Sequence, residues 1–205
     1  MPARDAPAAS APPPVRPPGA GGWFAPGRQT LLFALYCAVF FALRLWLSHG
    51  MEQDAATRFL HSQVLSLAYG GNDPPLYTWA LTAMQRLVGT GLQAVLLINY
   101  LLLTVAFWAL LIAARMVLGD ARWAALAAWS LVVFPPVALG HFALTHSVQV
   151  VCAAAITLLA ALGLVRHGRP WDYLALGAAL GFGLMSKYNF LLLAAALGVA
   201  ALAQA

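Results

Sequence analysis

The chain has 205 residues, of which 62% are hydrophobic and only 8% are charged. Soluble domains carry about a quarter charged residues, so the composition excludes a water-soluble globular domain and indicates an integral membrane protein. The formal net charge of +5 would suggest a nucleic-acid partner in a soluble protein, but here the arginines lie at the ends of apolar segments, where membrane orientation requires them.

Residues 1–28 are rich in Pro, Ala and Gly and hold almost nothing to bury, which predicts a disordered cytoplasmic tail. Residues 29–205 alternate apolar segments with short polar loops. An apolar helix of about 18 or more residues suits a bilayer core about 30 Å thick. We therefore predict an all-α, polytopic transmembrane helix bundle, with a short interfacial helix at 80–88 and spans at 29–47, 92–114, 123–134, 147–165, 173–185 and 190–203.

The arginines at the ends of these segments predict the orientation of the bundle. If the spans alternate, one side of the membrane carries Arg28, Arg115, Arg122, Arg166 and Arg169. The positive-inside rule makes that side cytoplasmic. Residues 48–79, 135–146 and 186–189 then share the outer face, so the polar segments of the chain are predicted to converge there.

The first outer loop, residues 48–79, contains a predicted amphipathic helix at 54–69 that lies on the membrane surface. Leu60, Val64 and Leu67 line one face, whereas Asp54, Arg58 and His61 follow at helical spacing on another. Asp54 falls in the first turn, where the helix dipole favours a carboxylate. Spacing alone leaves two alternatives open: a capping acid paired with Arg58, and a hydrogen-bonded interfacial His61.

The stretch "GGNDPPLYTW", residues 70–79, follows that helix as a stiff corner. Pro74 and Pro75 fix their own φ angles and push each preceding residue away from helix. The corner is predicted to hold Asp73, Tyr77 and Trp79 in a set relation to Asp54. The alternative is an ordinary interfacial turn within a Tyr and Trp belt.

The order of residues in "QDAATRFLHSQVLSLAYGGNDPPLYTW" resembles the first outer loop of the GT-C membrane glycosyltransferases, of the dolichyl-phosphate-mannose protein mannosyltransferase and aminoarabinose transferase type. In that family an acidic pair opens a surface helix, followed by a polar step, a Tyr-Gly region, Pro-Pro-Leu and an aromatic residue near Trp. The matching positions are Asp54, Ser62, Gln63, Tyr69, Gly70, Pro74, Pro75, Leu76, Tyr77 and Trp79. A Gly-rich span ending in Lys187 and Tyr188 is similar to a later family segment, and the resemblance covers residues 30–203.

The chain departs from the family pattern at three places. Ala55 replaces the second acid of the opening pair, and the outer loop at 139–147 has no carboxylate. The side chains of this loop that could take part in a reaction are His141, Thr145 and His146. The chain stops at residue 205, whereas these enzymes continue through further spans, so we expect the N-terminal part of such an enzyme.

The resemblance implies an enzyme of the bacterial inner membrane that transfers a sugar from a polyprenyl-phosphate carrier to a lipid, glycan or protein acceptor on the outer face. A carboxylate near the anomeric carbon acts as a general base, or binds a divalent cation that neutralises the leaving phosphate. Asp54 is the predicted catalytic residue and metal ligand, with Glu52 and Asp73 as weaker candidates. The predicted substrate-binding residues are Arg58, His61, Asp73, Tyr77, His146, Lys187 and Tyr188.

Lys187 is the only lysine of the chain and ends a span on the predicted outer face. A leaving phosphate requires fixed positive charge nearby, which makes Lys187 a candidate phosphate ligand. The alternative is an interfacial lysine whose stem lies along the apolar surface while its ammonium reaches water.

Two other functions compete with glycosyl transfer: non-catalytic binding or transport of a polyprenyl lipid, and a structural role in a membrane complex. An ion-coupled transporter would carry ionisable residues along its pathway, and the predicted spans hold almost none beyond Arg44. Asn99 is predicted to hydrogen-bond between helices, and the small residues Gly177 and Gly181 to allow close helix packing.

Overall fold

The computed structural model describes residues 22–47, 50–51, 53–67, 69, 74–133 and 147–203. Within these residues the chain is helical and forms no β-strand, as the sequence predicts. The helices are α1 (Pro26–Leu47), α2 (Gln53–His61), α3 (Leu76–Val88), α4 (Leu92–Leu118), α5 (Ala121–Trp129), α6 (Ser147–His167), α7 (Pro170–Leu184) and α8 (Phe190–Leu202), with a 3₁₀ turn at Ser130–Val132.

Three of the described helices, α1, α4 and α6, are long and apolar enough to cross a membrane. Helix α4 is the central one and packs against α1, α3, α5 and α6. The rings of Phe33 on α1 and Phe107 on α4 stack with their centroids 4.2 Å apart, and both residues are fully buried. The core of the bundle therefore surrounds α4, while α7 and α8 lie at its periphery.

Local signals set the boundary between α4 and α5. Gly119 has a left-handed φ of 70° and its N–H donates to Arg115 O, which ends α4. Asp120 then caps α5, because its Oδ1 accepts hydrogen bonds from the N–H groups of Arg122 at 2.8 Å and Trp123 at 3.0 Å. Helix α4 continues to this glycine, four residues past the predicted end of the span.

The start of α1 lies beside the end of α4. Arg115 Nη1 donates to Phe24 O at 3.2 Å, and Trp129 Nε1 donates to Gln29 Oε1 at 2.8 Å. Helices α4 and α6 run in the same direction, since Ala113 and Val117 line the same cavity as Leu162. One end of the bundle, called the arginine end below, therefore carries Arg28, Arg115, Arg122, Arg166 and Arg169, as the sequence predicts.

Some predicted boundaries are wrong. Helix α1 begins at Pro26, within the predicted tail, because Gln29 Nε2 donates to Trp23 O and fixes residues 22–25 against the bundle. Residues 1–21 lie outside the described residues, so disorder there stays a prediction. Helix α3 begins at Leu76 rather than residue 80, directly after Pro75. Helix α5 ends at Trp129, short of the predicted span.

Among the described residues, no helix packs closely at Gly177 and Gly181, where the sequence would permit it. A Cβ built at either glycine meets nothing within 4 Å. Close packing instead occurs at Gly183, where a Cβ would overlap the ring of Phe190. The spacing of small residues showed that α7 could approach a neighbour, but the position of the α7–α8 turn decided which glycine does so.

Candidate functional site

Helix α2 is shorter than predicted and ends at His61, so the predicted helix at 54–69 is wrong beyond that residue. A longer helix would join Ser62 O to the N–H of Ser66. Instead, Ser62 O accepts from Thr82 Oγ1 on α3 at 3.0 Å, and the Ser66 N–H donates to Tyr69 Oη at 3.1 Å. Hydrogen bonds to α3 and to Tyr69 thus take the place of the backbone hydrogen bond that would continue α2.

Two further contacts fix this loop on α3. The buried Ser62 Oγ accepts from Gln85 Nε2 at 2.8 Å, and Trp79 Nε1 donates to Ser66 O at 2.7 Å. The loop therefore holds α2 at a set position on α3. The apolar side chains of Leu60, on α2, and of Val64 and Leu67, in the loop, remain exposed. These are the side chains predicted to contact lipid.

Tyr77 and Asn99 form a buried hydrogen bond between α3 and α4. The Tyr77 phenol is 4% exposed and donates to Oδ1 of the fully buried Asn99 at 3.2 Å. Burial raises the pKa of the Tyr77 phenol well above its usual range, more than the bond to Asn99 and the nearby Arg58 lower it. Tyr77 therefore remains a neutral hydrogen-bond donor, and Asn99 makes the interhelical bond that its sequence position predicts.

Arg58 is half-buried, and both Asp54 and Tyr77 lie within its electrostatic reach. Burial lowers the pKa of the guanidinium, and the nearby Asp54 and Tyr77 oppose that shift. Arg58 nevertheless stays cationic, as arginine does in proteins. The structure thus brings three of the predicted residues, Asp54, Arg58 and Tyr77, into one polar group on α2 and α3.

Asp54 lies exposed in the first turn of α2. Its charge opposes the lowering of the Arg58 pKa, so Asp54 and Arg58 lie within electrostatic reach of each other. Asp54 lines none of the three cavities formed by residues of α1, α4, α5, the turn after α5, and α6. The group of Asp54, Arg58 and Tyr77 thus presents a carboxylate and a partly desolvated guanidinium to solvent, an arrangement that suits a polar ligand above the helices.

His61 contacts the loop rather than Asp54. Its ring stacks on that of Tyr69, with centroids 5.5 Å apart and an interplanar angle of 18°. Its Nδ1 is buried and has no hydrogen-bond partner among the described residues. These contacts favour the interfacial interpretation of His61, in which the ring anchors the loop.

Lys187 and Tyr188 lie in the turn between α7 and α8. Lys187 Nζ donates to Ser147 Oγ, at the start of α6, over a long 3.4 Å, and Tyr188 is exposed. Because α6 runs from Ser147 toward the arginine end, this turn lies at the opposite end of the bundle, as predicted. No contact among the described residues joins Lys187 to Asp54 or Arg58.

The remaining predicted residues, Asp73 and His146, lie outside the described residues, as does Glu52. The described part of the chain contains no group of three His, Cys, Asp or Glu side chains that could hold a metal ion. A divalent cation at Asp54 therefore stays a proposal.

Arg44 is a buried cation for which no site role is predicted from the sequence. It lies in the last turn of α1, away from the arginine end, and is only 8% exposed. Its Nη2 donates to Gly50 O at 3.2 Å, and Tyr100 lies within its electrostatic reach. The signal in the sequence was an arginine on the side of the membrane where orientation does not require one.

Comparison with known proteins decides the family. The sequence profile of the dolichyl-phosphate-mannose-protein mannosyltransferase family matches residues 72–205. The chain belongs to this family. The match confirms the resemblance to GT-C membrane glycosyltransferases, and together with the long apolar helices it makes the chain an integral membrane protein.

Two curated relatives of this mannosyltransferase-family chain come from Rhizobium johnstonii. The lipopolysaccharide core galacturonosyltransferase RgtB is 34% identical over 178 residues, which are 85% of this chain and 36% of the relative. The lipopolysaccharide core galacturonosyltransferase RgtA is 33% identical over 164 residues, which are 80% of this chain and 33% of the relative. The chain thus spans about a third of the length of these relatives. No solved structure matches it significantly.

Proposed function

We propose that the chain acts in glycosyl transfer from a polyprenyl-phosphate carrier to a lipid or glycan acceptor at the membrane surface. The observation that carries the proposal is the similarity to two glycosyltransferases over at least 80% of the chain. The polar group of Asp54, Arg58 and Tyr77 supports it, because a carboxylate and a guanidinium lie within electrostatic reach of each other on the predicted outer face.

The chemistry requires a base and a partner for the leaving group. The acceptor hydroxyl oxygen bonds to the anomeric carbon, and the bond from that carbon to the phosphate oxygen breaks. The hydroxyl proton passes to a carboxylate, which we propose to be Asp54, and polyprenyl phosphate leaves with the bonding electrons. Alternatively, Asp54 binds a divalent cation that neutralises the phosphate. Arg58, Lys187 and Tyr188 are proposed to bind the donor or acceptor.

The names of the relatives suggest the sugar. Both transfer galacturonic acid to a lipopolysaccharide core, and we propose the same sugar and acceptor class for this chain. A uronic acid carries a carboxylate, so its polyprenyl-phosphate donor has two negative charges. The cationic side chains Arg44, Arg58 and Lys187 lie at the end of the bundle where such a donor would bind.

This proposal predicts donor selectivity. Membranes isolated from the cells that naturally produce the protein should transfer labelled galacturonic acid from a polyprenyl-phosphate donor to lipopolysaccharide. They should transfer galactose from the matched polyprenyl-phosphate donor at least about tenfold more slowly, because the neutral sugar lacks the carboxylate that would pair with a second cationic side chain. The label on lipopolysaccharide is measured after gel separation. Equal transfer of both sugars would contradict the uronic acid, and transfer of neither would contradict the proposed function.

The proposal also places the arginine end in the cytoplasm of the bacterial cell and α2 on the outer face of the inner membrane. The native Cys37 and Cys152 are buried, so introduced cysteines can be labelled selectively. A membrane-impermeant maleimide should label the exposed position of Gln53→Cys in intact spheroplasts. It should label His167→Cys, its matched variant at the arginine end, only after permeabilisation. The reverse pattern would place the site in the cytoplasm.

A further inference from the structure

A groove lies between the two membrane-spanning helices α1 and α4. Its volume is about 250 Å³, and α1 lines it with Cys37, Ala38 and Phe41, while α4 contributes Leu97, Tyr100 and Thr104. The Thr104 hydroxyl donates to Tyr100 O at 2.8 Å, which leaves the wall largely apolar. Ala38 is exposed, so the groove opens to the lipid around the bundle.

Arg44 lies on α1 beyond the residues that line this groove, on the side away from the arginine end. It follows Phe41 by three residues and Cys37 by seven, and therefore continues the same stripe of α1. Its guanidinium is buried, donates to Gly50 O and lies within electrostatic reach of Tyr100, which lines the groove. A buried cation thus lies about one helical turn beyond Phe41, on the stripe of α1 that lines the apolar groove.

That combination matches an anionic lipid with a long apolar chain. An isoprenoid chain fits an apolar groove inside the membrane, and a phosphate fits the fork of donors on a guanidinium. We infer that the groove binds the polyprenyl chain of the donor, and that Arg44 pairs with its phosphate. The inference rests on the proposed function and names the place where its carrier lipid binds.

The position of Arg44 also connects the groove to the candidate site. Tyr100, beside Arg44, is the neighbour of Asn99 in α4, and Asn99 accepts the hydrogen bond of Tyr77. Arg44 and Tyr77 therefore approach the same turn of α4. Lys187 contacts α6 instead, through Ser147, and is assigned a different part of the substrates.

Lipid binding without any sugar tests this inference. The protein is reconstituted in phosphatidylcholine nanodiscs, and a labelled polyprenyl phosphate is displaced by unlabelled polyprenyl phosphate or by neutral polyprenol. Ala38→Trp fills the groove and should weaken binding of both lipids at least about tenfold. Val39→Trp is the matched control, because Val39 is exposed on the same helix and does not line the groove; it should change either affinity by less than about twofold.

Arg44→Gln tests the phosphate partner. This variant should weaken the binding of polyprenyl phosphate at least about tenfold and change the affinity for polyprenol by less than about twofold. The preference for the charged lipid is then lost. If Arg44→Gln does not fold, the comparison of Ala38→Trp with Val39→Trp still decides whether the polyprenyl chain binds in the groove.

Three results would overturn the inference: equal effects of Ala38→Trp and Val39→Trp, loss of the phosphate preference in Lys187→Met but not in Arg44→Gln, or equally strong competition by a diacyl phosphatidic acid. The probe carries no sugar, so its binding does not depend on glycosyl transfer. Normal groove binding without any transfer would count against the proposed function alone.

Discussion

Asp54→Asn is expected to slow sugar transfer by a factor of about 10² to 10⁴, the usual contribution of a positioned acid or base. The amide keeps the size of the side chain but does not act as a base, and it binds a cation much more weakly than a carboxylate does. Because Asp54 is exposed at the start of α2, the substitution should leave folding unchanged. The measurement is the transfer rate at saturating donor, together with donor affinity, which should change little. Thr57→Ala, also exposed on α2, is the matched control.

The same variant separates the two proposed roles of Asp54. If the carboxylate is the base, chelation should leave wild-type transfer unchanged, and added divalent cation should not restore Asp54→Asn. If it binds a cation, chelation should abolish wild-type transfer, and excess cation should partly restore the variant. Normal transfer by Asp54→Asn would remove Asp54 from the mechanism, while membership of the family would stand.

Gly183→Ala is expected to destabilise the bundle by about 1–3 kcal/mol through overpacking. A methyl group at this position overlaps the ring of Phe190, which is almost completely buried at the start of α8. The ring or the α7–α8 turn must then move, and that turn holds Lys187 next to Ser147. The measurement is unfolding in mixed micelles as the fraction of denaturing detergent increases.

Gly181→Ala is the matched control on the same helix. A Cβ there meets no atom within 4 Å, so only helix propensity acts, and alanine is favoured over glycine by up to about 1 kcal/mol. We expect Gly181→Ala to be neutral or stabilising. Adding Phe190→Leu to Gly183→Ala should recover part of the lost stability, because the smaller side chain relieves the overlap. Equal stabilities of the two glycine variants would contradict the close packing at Gly183.

The candidate site was only partly readable from the sequence. Helical spacing placed Asp54 and Arg58 on one face of α2, and their electrostatic interaction is present in the structure. Tyr77 joins them through α3, as the two prolines before it suggested. Nothing in the sequence connects Arg44 to the groove between α1 and α4, because Tyr100, the groove residue within its electrostatic reach, lies more than 50 positions later in the chain.

The sequence by itself determined the helical membrane bundle, the common end of its arginines and the family. Those properties depend on local composition, since a segment inside a bilayer must satisfy its backbone hydrogen bonds internally and therefore forms a helix. Only the tertiary structure decided that α2 stops at His61 and that Gly183 is the tightly packed glycine. In both cases the deciding contacts come from another helix, Thr82 on α3 and Phe190 on α8, and such contacts leave no local pattern.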